Sequence, residues 1–121
     1  MQIVLIGIGG ALGAITRYFI SKYLFIESTF PSSTLIINLV GSLLLGFLIF
    51  SAFIKKHEIY LMITTGFLGA FTTFSTFSFE LLHFLQQDQI LLALLYTILS
   101  AVGGIGFAAT GALIARRYIQ A

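Results

Sequence analysis

The sequence predicts an all-α integral membrane protein with four transmembrane helices. Of its 121 residues, 59% are hydrophobic and only 8% are charged, and its mean hydropathy is +1.09. Soluble domains carry about 25% charged residues, so this chain has too little charge to cover a surface that faces water. Four apolar segments have about the 20 residues that a spanning helix needs. We place them at about residues 3–24, 34–53, 59–85 and 90–114, joined by short loops in one domain.

The composition argues against several other classes of site. The net charge of +2 comes from six basic and four acidic residues, and the basic residues lie at segment ends rather than in a nucleic-acid patch. The chain has no cysteine and only two histidines, His57 in a loop and His83 near a helix end, so we expect no zinc site. Paired carboxylates and a Ser/His pair are not apparent, so we expect no enzyme.

Helix one carries small residues on one face. Gly9 and Gly13 are four residues apart, which predicts a close backbone approach to another helix. Arg17 continues the same face about two turns before the segment ends, where a charge is costly unless it is paired or reaches the interface. We assign Gly9 and Gly13 a packing role. For Arg17 a structural and a functional role stay open.

Helices two and four also have faces of polar or small residues. Pro31, Ser32 and Ser33 mark the start of helix two. On each face the residues repeat every fourth position: Thr34, Asn38, Ser42 and Gly46 in helix two, and Tyr96, Ser100 and Gly104 in helix four. An amide buried in hydrocarbon needs partners, so Asn38 either holds two helices together or lines a pore, and we favour the pore.

The most unusual stretch runs from Gly66 to Glu80 in the third segment. It contains two glycines and five hydroxyl residues, threaded among phenylalanines. Glycine lowers helix stability, and Ser and Thr side chains offer the backbone competing hydrogen bonds. We therefore expect a helix that is broken near its middle, preceded by ordinary lipid-facing helix over residues 60–68. Non-helical backbone in a membrane must be buried in protein, line a wet cavity or bind an ion, so this stretch is the functional candidate.

Aromatic residues follow the predicted break at a regular spacing. Phe71, Phe74, Phe77 and Glu80 lie three residues apart and nearly share one helix face. Such a stripe is normally core packing. The interleaved hydroxyls favour a polar pathway here, with Glu80 at its end or at the membrane interface.

The charges predict the topology only weakly. Lys55, Lys56, Arg116 and Arg117 lie on the side of both termini, and Lys22 lies on the other, which gives a small N-in, C-in preference. A four-helix monomer has little room for the polar faces, so we expect an oligomer that buries them. If copies insert in both orientations, an antiparallel dimer results.

Three blocks of this sequence resemble the signature blocks of the CrcB/Fluc fluoride channel family. The blocks fall in order along the chain, and the most specific is the Thr-Thr-Phe-Ser-Thr-Phe run at 72–77. They are residues 9–18, residues 38–42 with Gly46, and residues 66–78. The resemblance implies an antiparallel, dual-topology homodimer in the cell membrane. It also implies a passive channel with two pores that exports fluoride and lowers its cytoplasmic concentration.

The resemblance also implies residue roles. A structural Na⁺ at the dimer centre is expected to bind the backbone carbonyls of Gly69 and Thr72 from both subunits. The remaining matches concern the fluoride path: Phe74 and Phe77 line it, Asn38 is its pore-facing amide, Tyr96 and Ser100 form a polar track, and Glu80 is a carboxylate at its end. Gly104 stands where some members have a hydroxyl, which implies a shorter track. Arg17 matches the arginine of the first block.

Two other functions compete with this one. A small proton-coupled multidrug or cation exporter is also a four-helix dimer, but it needs a carboxylate at the membrane centre. The first segment has none, and Glu80 lies near a segment end. The other alternative is a non-transporting assembly subunit, whose polar faces serve only to hold helices together.

Overall fold

The chain folds into five helices within the part that this computed structural model describes, residues 1–23, 30–51 and 58–120. They are α1 (Gln2–Tyr23), α2 (Ser32–Phe50), α3 (58–71), α4 (Phe74–Gln86) and α5 (Ile90–Gln120). Helices α3 and α4 together make the third membrane segment, Glu58–Gln86. All four segments are long and apolar enough to cross a membrane, so the predicted all-helical membrane fold is confirmed.

Two helix ends differ from the predicted ones. Helix α2 ends at Phe50 rather than at residue 53, because Ser51 is extended, with φ −78° and ψ 111°. Helix α5 continues to Gln120, past the predicted end at 114, because no glycine or proline interrupts the helix-forming residues that follow. There the Arg116 guanidinium lies 4.8 Å from the Phe50 ring centroid and joins the ends of α5 and α2. Leu24, residues 52–53 and the predicted topology signals Lys55 and Lys56 lie outside the described residues.

Helix α1 packs against α3 through glycines. A side-chain carbon on Gly9 would collide with the Met62 carbonyl, and one on Gly13 would collide with the Phe67 carbonyl. Gly66 of α3 in turn lies against the backbone of α1. The close approach that only glycine permits is therefore made between helices of one chain.

Helix α2 packs against α5 in the same way. A carbon on Gly46 would meet the Ala108 carbonyl, and one on Gly111 would meet the Leu43 carbonyl. The glycine-rich second half of α5 is thus slim enough for its backbone to lie against that of α2. The glycine contacts therefore hold the four segments in two close pairs, α1 with α3 and α2 with α5.

The first half of the third segment is not the ordinary lipid-facing helix that we expected over residues 60–68. Residues Met62–Leu68 form a π-helix, and both Gly66 and Leu68 are buried. The expectation was wrong because the glycines of α1 admit this wider helix into close contact. π-Helical turns are rare and occur frequently at functional sites. Leu68 joins Ile37 and Phe71 in a buried cluster between α2 and α3.

The predicted interruption of the third segment is confirmed. Helix α3 ends at Phe71, and α4 begins at Phe74. Between them Thr72 is extended, with φ −74° and ψ 156°, and so is Thr73, with φ −146° and ψ 117°. The break at Thr72–Thr73 therefore turns the chain sharply inside a segment of spanning length.

The glycine contact between α1 and α3 gives a testable stability difference. We expect Gly13→Ala to lower the free energy of unfolding by about 1–3 kcal/mol, because the added methyl group overpacks against a backbone carbonyl. Gly7→Ala in the same helix is the matched control. A carbon on Gly7 has no neighbour within 4 Å, so the change should be neutral or stabilising by up to about 1 kcal/mol. Unfolding of the detergent-solubilised protein by SDS measures both, and equal effects would contradict the contact.

Candidate functional site

The break at Thr72–Thr73 is held by one side chain of α2. Asn38 Nδ2 donates a hydrogen bond of 3.0 Å to the Thr73 carbonyl. The Thr73 amide donates one of 2.8 Å to Asn38 Oδ1. A single side-chain amide therefore bonds both backbone groups of Thr73 and replaces the acceptor that its amide loses by leaving the helix. Thr73 is 7% exposed, so without Asn38 this amide would be buried and unpaired.

The Thr73 hydroxyl starts the next helix. Thr73 is the N-cap of α4, and its Oγ1 accepts a hydrogen bond of 3.1 Å from the Thr76 amide. The same hydroxyl donates to Thr76 Oγ1 at 2.9 Å and lies 3.2 Å from the Ser75 hydroxyl. Threonine is a favoured N-cap because its oxygen satisfies an amide that the helix leaves unpaired. The run of hydroxyl residues thus supplies side-chain hydrogen bonds at the start of α4.

These two arrangements remove the usual hydrogen-bond donors of two carbonyls. In an α-helix the carbonyl of residue i accepts from the amide of residue i+4. The Gly69 carbonyl would accept from Thr73, whose amide donates to Asn38 instead. The Thr72 carbonyl would accept from Thr76, whose amide donates to the Thr73 hydroxyl. Uncharged carbonyl oxygens are suitable ligands for a hard cation, so Gly69 and Thr72 fit the predicted Na⁺ site.

An open cavity of about 310 Å³ lies beside the break. Its walls include Asn38, Ser42, Thr64, Gly69, Thr72 and Phe74. Gly69 is exposed, and a side-chain carbon there would have no neighbour within 4 Å. The Gly69 backbone therefore borders free space, and both predicted cation ligands lie on the same cavity as Asn38 and Phe74.

Aromatic rings lead away from this cavity along α4. The Phe74 ring is 80% exposed, and its centroid lies 5.7 Å from that of Phe77. The Phe77 centroid lies 4.9 Å from that of the fully buried Tyr96 on α5. The planes of both pairs are tilted, at 37° and 47°, so ring edges as well as faces lie along this row. The edge of an aromatic ring carries partial positive charge.

The far end of the row is a hydrogen-bonded carboxylate. Tyr96 Oη donates to Glu80 Oε2 at 2.6 Å, and Thr34 Oγ1 donates to Glu80 Oε1 at 2.8 Å. Tyr96 and Thr34 are buried, so two hydroxyls from α5 and α2 satisfy one oxygen each of a half-buried side chain on α4. The row therefore runs from the open cavity at Phe74 to Glu80 and joins three helices.

A known protein family matches most of this chain. The family described as CrcB-like protein, Camphor Resistance (CrcB), matches residues 4–112. The chain belongs to the CrcB family. It is therefore a multi-pass protein of the cell membrane, and the matched region includes at least part of each of its four spanning segments.

Individual relatives of this CrcB chain carry a functional name. It is 45% identical over 116 residues to "Fluoride-specific ion channel FluC 1" of Moorella thermoacetica, covering 92% of this chain and 83% of the relative. It is 50% identical over 108 residues to a protein of the same name in Staphylococcus aureus, covering 87% and 88%. It is 43% identical over 114 residues to "Fluoride-specific ion channel FluC" of Methanococcus maripaludis, covering 93% of each chain.

The other predicted residues of the CrcB chain lie away from the break. Ser100 is on α5 one turn beyond Tyr96, and Gly104 follows one turn later, where a side-chain carbon would lie 3.7 Å from Ser42 Oγ. Gly104 therefore lies beside Ser42 on the polar face of α2. Arg17 is half-buried on α1, and it makes no ion pair or hydrogen bond with another residue that the structure describes.

Sequence reasoning missed the tasks of Thr34 and Thr73. Thr34 was assigned only to a polar face, yet it donates to Glu80. Thr73 was counted among the hydroxyls that loosen the helix, yet it caps α4. A threonine immediately before a run with helical periodicity is a recognisable N-cap signal, so the second task was readable from the sequence. The first depends on the packing of α2 against α4 and has no local signal.

The carboxylate cluster predicts a loss of stability on removal of one hydroxyl. We expect Tyr96→Phe to lower the free energy of unfolding by about 1.5–3 kcal/mol, the usual loss for a hydrogen bond to a charged group. Tyr118→Phe is the control, because that ring is 76% exposed near the end of α5. SDS unfolding of both variants measures the difference. A Tyr96 variant as stable as the control would show that this hydrogen bond contributes little.

Proposed function

We propose that this protein is a passive, fluoride-selective ion channel that exports fluoride and lowers its cytoplasmic concentration. The single observation that carries the proposal is the break in the third segment, where Gly69, Thr72 and Phe74 line one cavity together with Asn38 of α2. The names of the relatives supply the identity of the ion. The proposed function includes no catalytic step.

The residues along the row suit a small anion. Ring edges of Phe74 and Phe77 and hydrogen-bond donors bind an anion without a full positive charge, which would hold it too tightly for conduction. Asn38 donates one of its two Nδ2 hydrogens to Thr73 and retains the other. Tyr96 and Ser100 continue the polar surface on α5. Glu80 is held by two hydroxyl donors at the end of the row.

The exposed face around the break supports an assembly of two copies. Gly69, Phe74 and Ser75 are exposed in the single chain, and the Gly69 and Thr72 carbonyls lack their helical donors. Lipid tails offer no partners for such groups, so this face must be covered by protein, line a wet cavity or bind an ion. A second copy in the opposite orientation covers it and gives an antiparallel, dual-topology homodimer with two pores.

A central Na⁺ completes the proposal. The Gly69 and Thr72 carbonyls of both subunits hold it, because each has lost the amide that an unbroken helix would supply. When bound, the cation supplies positive charge near the anion path and lowers the cost of bringing an anion into a medium of low dielectric. These ligands carry no charge of their own, so the site attracts a cation without adding negative charge to the path.

Reconstitution in liposomes tests the function. The protein is reconstituted in liposomes loaded with potassium fluoride, valinomycin carries the counter-ion, and a fluoride electrode records efflux. We expect fast efflux of fluoride without a proton gradient and little efflux of chloride in parallel vesicles. Efflux that requires a proton gradient and a lipophilic cation would support the exporter instead, a function that the names of the relatives do not favour. No flux of either kind would support an assembly subunit.

Replacing either ring of the row should slow this flux. We expect Phe74→Ile and Phe77→Ile to reduce fluoride efflux at least tenfold, because isoleucine fills similar volume without a positive ring edge. Phe19→Ile on α1 is the control, since that ring stacks on Tyr23 away from the cavity. Size-exclusion chromatography in detergent checks that each variant keeps the assembly of the parent. Unchanged efflux in both variants would mean that the rings serve only packing.

Exchange of the cation tests the central site. We expect replacement of Na⁺ by the large cation N-methyl-D-glucamine, at constant ionic strength, to lower the thermal unfolding midpoint of the purified protein and to slow fluoride efflux. A carbonyl cage holds a small hard cation and excludes one of that size. Li⁺ and K⁺ in parallel samples report the size preference. A midpoint that is the same in all four salts would contradict a cation site at the break.

A further inference from the structure

We propose that Asn38 and Thr73 are positioning residues for the cation site, and that each keeps one amide hydrogen away from one of the two ligand carbonyls. The inference rests on the proposed function, because it concerns the cation that this function includes. It assigns Asn38 a task beyond the pore-lining one, and it assigns Thr73 a task beyond capping.

Asn38 acts on the Gly69 carbonyl. The strongest competitor of a cation for a backbone carbonyl is the amide four residues later in the chain. For Gly69 that competitor is Thr73, whose amide lies 2.8 Å from Asn38 Oδ1. The second bond, 3.0 Å from Asn38 Nδ2 to the Thr73 carbonyl, fixes the orientation of the same residue from the other side. Two bonds to one residue prevent Thr73 from turning back into the helix.

Thr73 acts on the Thr72 carbonyl through its side chain. The competing amide there belongs to Thr76, and the Thr73 hydroxyl accepts it at 3.1 Å. The hydroxyl directs its own hydrogen to Thr76 Oγ1 at 2.9 Å, so its lone pairs stay directed toward the amide. One side-chain acceptor is thus matched to each carbonyl: Asn38 Oδ1 to Gly69 and Thr73 Oγ1 to Thr72.

The pairing makes the cation site dependent on α2. Thr73 is buried, and Asn38 of α2 bonds both its amide and its carbonyl. Among the described residues, no side chain of α3 or α4 does the same. Gly41, three residues after Asn38, leaves room for the Thr72 side chain against α2. A residue on the wall of the anion path therefore sets the affinity of the cation site, although it is not itself a cation ligand.

Cation affinity, rather than stability alone, distinguishes positioning from packing. The purified full-length protein is heated in detergent at a series of Na⁺ concentrations, with N-methyl-D-glucamine keeping the ionic strength constant. The dependence of the unfolding midpoint on Na⁺ gives an apparent dissociation constant. We expect Asn38→Leu and Thr73→Val each to raise this constant about 10- to 100-fold, the usual effect of removing a partner that orients a metal ligand. Neither substitution changes the charge of the protein.

Two further variants serve as controls. Thr73→Ser keeps the capping oxygen and should bind Na⁺ as the parent does. Thr110→Val removes a hydroxyl that bonds the Gly106 carbonyl within α5, so it matches Thr73→Val in chemistry and should leave the Na⁺ dependence unchanged. If Asn38→Leu does not fold, the comparison of Thr73→Val with Thr73→Ser decides the inference.

The outcomes separate this inference from the proposed function. The positioning role is wrong, and the cation site stands, if Na⁺ stabilises the parent and neither Asn38→Leu nor Thr73→Val raises the dissociation constant for Na⁺ more than Thr110→Val does. If Na⁺ does not stabilise the parent, the cation site itself is wrong, and the inference falls with it. Fluoride efflux from liposomes containing the parent reports on the channel independently of both.

Discussion

The structure depends on one constraint, which is that a membrane offers no hydrogen bonds to backbone groups. Three of the four spanning segments meet it with unbroken helices, but the third is interrupted at Thr72–Thr73. Two of the amides at the break have new acceptors: Asn38 Oδ1 accepts from Thr73, and Thr73 Oγ1 accepts from Thr76. The Gly69 and Thr72 carbonyls are among those left without their helical donors. An interruption that is costly in lipid is therefore the place where we propose that a cation binds.

Close packing at glycines allows Asn38 to reach the break in the third segment. Asn38 contacts Thr73 only because α2 lies near the break, and a side-chain carbon on Gly41 would collide with the Thr72 methyl group. Gly9 and Gly13 bring α1 against α3 in the same way, where they support the π-helix that precedes the break. Glycine is a poor helix former, so these positions lower helix propensity in exchange for short distances between backbones. The glycine faces therefore serve the site as well as the fold.

Hydropathy and local chemistry made much of this predictable. The length of the apolar segments predicted the four spanning helices. The glycines and hydroxyls of residues 66–80 predicted the interruption of the third one, because their effect on the helix is local in sequence. The π-helix at Met62–Leu68 was not predictable, since it depends on contact with α1 rather than on its own residues. The pairing of Glu80 with Thr34 and Tyr96 likewise joins residues 46 and 16 positions apart. Such contacts follow from tertiary packing and leave no periodic signal.

The distribution of charge suits the proposed anion path. Glu80 is the carboxylate on the aromatic row, and two hydroxyls already donate to its oxygens, so on the proposed path these donors would not hold a passing anion tightly. A lysine or arginine on the row would hold an anion strongly and slow its release. The proposed cation would supply attraction from a fixed point beside this path instead, and its carbonyl ligands add no charge. Since Asn38 lines the cavity and also holds the break, the same residue would set the attraction from that cation and one of the donors of the path.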